Sequence, residues 1–570
     1  MLKVKNLSVT YNQAGQETHA VKDMSFTLEQ GQALGIIGES GSGKTTLGLA
    51  IMGILNSGAK VDGTIEYKGV NLRKLSPGQL NMYRWKHIAM VFQNGLETLN
   101  PLLTVKEQIK ECIIHHLKMK QLEADQQVKV LLEQVGLEVS VADSFPHQLS
   151  GGMRQKVLIA MALACDPKVL IIDEPTGSLD ALSKAEIIEL LAKLQREKRF
   201  SMIVISHDFS VITRLTGKMC VMYRGCILEE GLTRDILKNP LHTYTRGLIN
   251  SSPSINPYQD LWGIPPSGKP VSHKGCPFYP RCCQSSDICK DQMPKLEYVS
   301  LERRVACNKG GIVTLLEAQG IDKTYSFKGR KIRACKNCHM SVRAGEIVAL
   351  IGQSGSGKTT LASVLSGYLN PDNGHTKFLG QPVKQYEFAC RPKGIQMVFQ
   401  DPFSSINDQF TVLQAVKEPL DILKLYSPVE RAEKVKKVLS NMELSTDDSF
   451  LNRRCFTLSG GQRQRVSIAR SLVMEPKLLI ADEISSMLDP STQANILRLL
   501  KGLQNSLGFA MIYITHDLDL ARKIADKVYI MHQGEIVESG PAWEVFDNPD
   551  NEYARKLILP IQRKTGDFFS

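Results

Sequence analysis

Gly38-Glu39-Ser40-Gly41-Ser42-Gly43-Lys44-Thr45-Thr46 decides the fold. Before it, Gln32-Ala33-Leu34-Gly35-Ile36-Ile37 is a short apolar run suited to a buried strand, and a helical stretch follows from Thr46 to about Leu55. Strand, glycine-rich loop and helix in that order are the context of a phosphate-binding loop. Gly38, Gly41 and Gly43 let backbone N–H groups close around phosphates, with Ser40 and Thr46 in the same cradle. The helix N-terminus adds the positive end of its dipole. Lys44 is placed to reach the β- and γ-phosphates, and the Thr45 hydroxyl to ligate Mg2+.

The loop occurs twice. Gly352-Gln353-Ser354-Gly355-Ser356-Gly357-Lys358-Thr359-Thr360 repeats it at an offset of 314 residues. LSGGMRQ at 149–155 returns as LSGGQRQ at 458–464, VLIIDE at 169–174 as LLIADE at 478–483, and ISHD at 205–208 as ITHD at 514–517, all at an offset of 309. One accidental match to the loop pattern in such a chain has a probability of roughly a few per cent. Two matches in register remove coincidence: the chain is a duplicated α/β domain that binds nucleoside triphosphate.

The second acidic motif supplies the rest of the chemistry. Val169-Leu170-Ile171-Ile172-Asp173-Glu174 is an apolar strand that ends in two carboxylates. At a strand exit both can face the phosphate crevice. Asp173 would hold Mg2+, directly or through water, and Glu174 would orient and polarise the attacking water; Asp482 and Glu483 match them.

Composition bounds the remaining possibilities. The 570 residues carry 70 Lys+Arg against 58 Asp+Glu, a net charge of +12, and 42% are hydrophobic. That is enough apolar residue to build large cores, which excludes general disorder. No apolar run reaches the 18 or so residues of a membrane-spanning helix. Met1-Leu2-Lys3-Val4-Lys5-Asn6-Leu7 lacks a signal-peptide core, so the chain is expected in the cytosol, with its 13 cysteines as thiols or metal ligands. The mild basic excess selects no partner.

Between the repeats, residues 240–315 hold 9 of the 25 prolines and 5 of the 13 cysteines. Text such as Ile264-Pro265-Pro266-Ser267-Gly268 cannot sustain helices or central strands. Cys276, Cys282, Cys289 and Cys307 are spaced C-x5-C-x6-C-x17-C, without the paired C-x2-C of common zinc sites. Their chemistry alone allows zinc, an iron–sulfur cluster or neither. Cys283 is an extra thiol, and Cys335-x2-Cys338 reads as packing in a strand.

Leu149-Ser150-Gly151-Gly152, between the two phosphate motifs, resembles the signature of the ATP-binding cassette (ABC) ATPases. The resemblance covers both halves. It implies two tandem ABC-type nucleotide-binding domains, each with a helical signature subdomain, joined by a small Cys-rich irregular insert. It also implies head-to-tail pairing, with Lys44 facing Ser459 and Gly461, and Lys358 facing Ser150 and Gly152. Ser-Gly-Gly at a helix start offers free N–H groups and a hydroxyl to a γ-phosphate. By the same resemblance Gln93 and Gln400 are Q-loop glutamines that sense Mg2+ and nucleotide. His207 and His516 are switch histidines, Asp180 and Asp489 couple the sites, and Tyr11 and Tyr325 stack on adenine. Neither half lacks a catalytic residue, so both sites are expected to hydrolyse ATP.

Asn239-Pro240-Leu241-His242-Thr243-Tyr244-Thr245, Cys276-Pro277-Phe278-Tyr279-Pro280-Arg281-Cys282 and Val305-Ala306-Cys307 resemble the C-terminal extension of the oligopeptide, dipeptide and nickel importer ATPases. That family associates the four matching cysteines with a [4Fe-4S] cluster. Its two different ATPase subunits would here be fused, as 1–240 with an extension over 241–311, and 312–570. Three features depart from it: the second half has no cysteine extension, Asn94–Pro101 follows the first Q-loop glutamine where Asp-Pro is usual, and Ile406-Asn407-Asp408 replaces Leu-Asn-Pro.

The resulting expectation is the energy-coupling ATPase of an importer on the cytoplasmic face of the cell membrane. It would work with two transmembrane permease subunits and an extracytoplasmic solute-binding protein, and without nucleic acid. Peptides are the first choice of solute, nickel or a metal chelate the second. The alternative is a soluble tandem ATPase acting on ribosomes or nucleic acid. Against it, residues 240–315 carry 9 Lys+Arg and 5 Asp+Glu, only +4, with no basic run to grip a phosphate backbone.

Overall fold

The computed structural model describes residues 1–558 except 14–15, 57, 94–97, 178, 256–262, 266–273, 328–329, 402–404 and 485–487. Asn94–Glu97 of the first Q-loop departure and Pro266–Gly268 of the linker text lie outside the described residues. The chain divides into two compact units. Met1–Ile255 and Asp287–Gly311 fall in the first, with residues 274–279; Pro280–Ser286 and the chain from Ile312 fall in the second.

In the first unit β1 (Leu2–Gln13), β2 (Gln16–Leu28), β4 (Ala59–Tyr67) and β5 (Val70–Asn71) form a four-stranded antiparallel sheet. The second sheet starts from β6 (Ile88–Val91), β7 (Val169–Asp173), β8 (Ser201–Ser206), β3 (Ala33–Ile37) and β9 (Lys218–Tyr223), side by side and parallel. Every residue of β7 and β8 is buried. Such continuous apolar strands suit a parallel sheet covered on both faces. The antiparallel β10 (Cys226–Leu232) closes that side of the repeat.

The region expected to be an irregular insert is not irregular throughout. β12 (Arg303–Ala306) pairs with β10 through Glu229↔Val305 and Glu230↔Arg304, and β11 (Leu296–Ser300) pairs with β12. The extension therefore adds two strands to the first unit's sheet. Long-range pairing, invisible in Pro- and Cys-rich text, produces this difference.

The second unit repeats the design. β13 (Thr314–Phe327), β14 (Arg330–Arg343), β16 (Asn373–Phe378) and β17 (Gln381–Pro382) make the antiparallel sheet. β18 (Ile395–Val398), β19 (Leu478–Asp482), β20 (Ala510–Thr515), β15 (Ile347–Ile351), β21 (Lys527–His532) and β22 (Glu535–Pro541) follow in the same order as their counterparts. Cys335 and Cys338 are fully buried in its core, as packing predicts.

Each unit carries the expected helical layer before its signature helix. Val105–Leu117 and Gln121–Gln134 precede the helix Gly151–Leu163, and Val412–Ile422 and Pro428–Asn441 precede Gly460–Leu472. Their starts are written in sequence: Thr104 with Glu107, Thr411 with Gln414, and Ser427 with Glu430 form reciprocal capping boxes. Val412, Val416, Val435 and Leu439 then meet Val466 and Ile468 in one apolar core.

Candidate active sites

Both phosphate loops close on their lysines. Lys44 Nζ donates to the carbonyls of Gly38 and Glu39 at 2.9 and 3.0 Å; Lys358 Nζ donates to those of Gly352 and Gln353, each at 2.9 Å. Burial lowers both lysine pKa values, while Glu174 and Asp173, and Glu483 and Asp482, pull them back up. Gly43 and Gly357 cap the following helices in the left-handed region, at φ 98° and 107°. A Cβ on either would stand 2.0 Å from a backbone carbonyl, of Ala20 or Ala334. Only glycine fits there.

In the first unit the loop opens on a cavity of about 1030 Å3. Its lining includes Ser40, Gly41, Gly43, Lys44, Thr45, Thr46, Gln93, Glu174 and His207, all singled out in the sequence. Pro277 of the extension motif lines it too, as do Glu17, Thr18, His19, Lys22, Arg224 and Met293, which no sequence motif singled out. Tyr11 is not among the lining residues; it pairs across the sheet with Thr18, which is, and packs partly buried against the core. Tyr325 is 42% exposed on β13.

Asp173 lies at the end of β7, fully buried, and neither carboxylate oxygen has a hydrogen-bond partner among the described residues. Burial pushes its pKa up to about 6; the nearby Thr45 hydroxyl and Lys44 pull it down, and Glu174 adds to the rise. Asp482 repeats this, its Oδ1 orphaned and its pKa raised by burial against the opposing pull of Thr359. A dry, unpaired carboxylate beside a threonine hydroxyl fits a hard divalent cation, which takes oxygen ligands and rewards that burial. Thr45 with Asp173, and Thr359 with Asp482, can hold Mg2+ in this way.

The neighbouring glutamates are held differently in the two units. Glu174 and Glu483 both have left-handed backbones, at φ 51° and 44°. Glu174 Oε1 sits 2.8 Å from His207 Nδ1, and Ser206 Oγ donates to its Oε2 at 3.4 Å. Glu483 Oε1 is 3.6 Å from His516 Nδ1 and 3.9 Å from Lys358 Nζ, and its Oε2 accepts from Gln400 Nε2 at 2.9 Å. A carboxylate so placed can accept a proton from water at the loop.

The signature serines are helix N-caps. Ser150 Oγ accepts from Met153 N at 3.2 Å, and Ser459 Oγ from Gln462 N at 3.3 Å. Gly152 and Gly461 permit close approach of the next helix: an added Cβ would lie 3.0 Å from Ser183 Oγ and from Thr492 Cγ2. Asp180 and Asp489 cap those next helices by accepting from Ser183 N at 2.9 Å and Thr492 N at 3.0 Å. These bonds hold both carboxyls below the usual carboxylate range.

Of the four cysteines expected to hold a cluster, Cys289 and Cys307 lie close enough to Cys276 to add to the rise that burial gives its pKa. Among the described residues no three His, Cys, Asp or Glu side chains are grouped to hold a metal ion. Cys276, Cys289 and Cys307 all belong to the first unit. Burial pushes the Cys276 thiol up to about 11. The [4Fe-4S] expectation finds no support among the described residues.

A paired set of phosphate loop, Mg2+-type carboxylate and adjacent glutamate on a parallel sheet defines a nucleoside-triphosphate hydrolase, present twice. Family comparison narrows the class. The ABC transporter model matches residues 21–177 and 335–486, and the model of the oligopeptide/dipeptide transporter C-terminal region matches 228–289. The glutathione import ATP-binding protein GsiA of Pectobacterium atrosepticum is 34% identical over 98% of this chain and 89% of its own. The oligopeptide transport ATP-binding protein OppD of Mycobacterium tuberculosis is 33% identical over 98% of each chain. A solved ATP-binding cassette, described as a post-hydrolysis dimer bound to ADP and Pi, is 28% identical, spanning 40% of this chain and 99% of its own at a TM-score of 0.37. The chain belongs to the ABC transporter family, as an ATPase with both nucleotide-binding domains in one polypeptide.

Proposed function

We propose that this chain is the energy-coupling ATPase of a peptide importer, working with two permease subunits and an extracytoplasmic binding protein at the cytoplasmic face of the membrane. The observation that carries the reading is the full-length match to OppD and GsiA combined with a complete set of catalytic side chains in both halves. No helix among the described residues is long and apolar enough to cross a membrane.

In this reading Lys44 and Lys358 bind the β- and γ-phosphates, and Thr45 with Asp173, and Thr359 with Asp482, hold the cation. Mg2+ supplies charge neutralisation at the phosphates when bound. Glu174 and Glu483 accept the proton of the attacking water, and His207 and His516 orient those carboxylates. Gln93 and Gln400 monitor the site. Ser150, Gly152, Ser459 and Gly461 present helix N-termini suited to a γ-phosphate.

The test joins enzymology and isolation. Glu174→Gln with Glu483→Gln should abolish turnover and retain ATP, and detergent extracts of membranes should yield the chain with hydrophobic permeases. Undiminished hydrolysis overturns the glutamate assignment. Recovery with ribosomes instead would favour the tandem-ATPase alternative.

A further inference from the structure

We propose that Tyr244 is a positioning residue for the first nucleotide site: its buried hydroxyl grips the phosphate loop at Glu39, and the C-terminal extension holds it there, which makes the two ATP sites inequivalent. This rests on the reading of both loops as nucleotide sites.

Glu39 is gripped on both sides of its backbone. Its N–H donates to Tyr244 Oη at 2.9 Å, while its carbonyl accepts from Lys44 Nζ at 3.0 Å. The Tyr244 ring is fully buried, 4.6 Å from the Tyr223 ring and 5.3 Å from that of Phe278, centre to centre. Phe278 comes from the extension, and Pro277 beside it lines the nucleotide cavity. The Tyr244 N–H donates to His242 Nδ1 at 3.0 Å, in a pocket where burial pushes the imidazole down to about 3 and keeps it neutral. One step further out, the buried Glu229 carboxylate accepts from the Leu241 and His242 N–H groups at 2.8 and 2.9 Å. Arg303, on the extension's strand β12, closes the chain by donating to Glu229 Oε1 at 2.6 Å.

The second half is the internal control. At an offset of 309 residues, Glu538 accepts from Asp550 and Asn551 N–H groups, each at 3.0 Å, and Tyr553 N donates to Asn551 Oδ1 at 2.8 Å. The scaffold is thus the same, and Lys358 grips the Gln353 carbonyl as Lys44 grips Glu39. Yet Tyr553 stacks on His532 at 3.8 Å, and its buried hydroxyl has no hydrogen-bond partner among the described residues. Glu538 likewise has no arginine partner among them. The first loop is held by one extra hydrogen bond within a packed aromatic cluster; the second is not.

A bond of this kind shapes the loop before nucleotide arrives, so its loss should weaken binding by about three- to tenfold. Full-length chains carrying Lys358→Met, which leaves the first site, and Lys44→Met, which leaves the second, would be titrated with MgADP. Hydrogen exchange of peptides covering 38–46 and 352–360 would be followed in parallel. Tyr244→Phe keeps the ring, and should raise the first site's Kd by that factor and speed exchange in 38–46. Phe278→Leu should move both in the same direction by less, and Tyr553→Phe should leave the second site and its loop unchanged. Unchanged affinity and exchange in Tyr244→Phe and Phe278→Leu overturn the proposal, as does an equal effect of Tyr553→Phe. Failure of both parent chains to bind MgADP would instead refute the nucleotide-site reading itself.

Discussion

Gln400 reaches Glu483 directly, Nε2 to Oε2 at 2.9 Å. The glutamine whose family role is to sense nucleotide is therefore bonded to the carboxylate assigned to hydrolysis. The bond orients the acceptor without neutralising it. Gln400→Ala in a Glu174→Gln background, which silences the first site, should lower ATPase activity by about three- to tenfold. An unchanged rate would strip the contact of a catalytic role.

His207 stands 2.8 Å from Glu174, against 3.6 Å for His516 and Glu483. Glu483 has Gln400 and Lys358 nearby as further support. Replacing either histidine with alanine in the matching single-site background should therefore slow the first site more than the second. Equal losses in steady-state hydrolysis would contradict that ordering.

Asp173 trades stability for metal binding. Its pKa in the fold is about 6 against an ordinary 3.8, so the protonated form is favoured by folding. The contribution is fully present below the ordinary value and is lost as pH rises from about 4 through 6, on the order of 2–3 kcal/mol. Without metal, Asp173→Asn should raise the melting temperature at pH 8 and leave it nearly unchanged at pH 4. The same variant should lose the thermal shift that Mg2+ with ADP gives the first unit. A destabilised Asn variant at pH 8 would show that the carboxylate has partners of its own.

Glycines of the loop should fail for different reasons. Gly43→Ala drives a Cβ to 2.0 Å from the Ala20 carbonyl at φ 98°, so both nucleotide binding and melting temperature should fall. Gly41 has open space around it and only a φ of 76° to satisfy. Its alanine variant should cost about 1 kcal/mol and keep measurable binding. Calorimetry of the two side by side separates collision from backbone strain.

Much of this was legible in the sequence because it is local. Apolar runs such as Val169–Ile172 mark buried parallel strands, and fixed spacings mark the loops they end in. Ser150 and Asp180 betray themselves as caps by residue type and position. What stayed hidden depends on residues far apart in the chain. Thr18 lines the cavity while Tyr11 lies opposite it across the sheet, a matter of register on a long twisted hairpin with irregular steps. The bond from Glu39 to Tyr244 spans 205 residues, and nothing near either one announces it. Cysteine spacing is a weaker guide, because only the backbone decides which of the spaced thiols meet.

The strands β11 and β12 also bear on where such a polypeptide can be divided. A break near residue 240, where the repeat ends in the text, would strip the neighbour from β10 and expose its row of unpaired amides and carbonyls. Bare edges of that kind invite strand pairing between molecules. A break after Gly311 leaves the first sheet closed by its own short edge strand, and leaves Arg303 on Glu229. A fragment built on the first repeat therefore needs about seventy residues beyond the end of that repeat, through the extension, to keep its sheet edge covered.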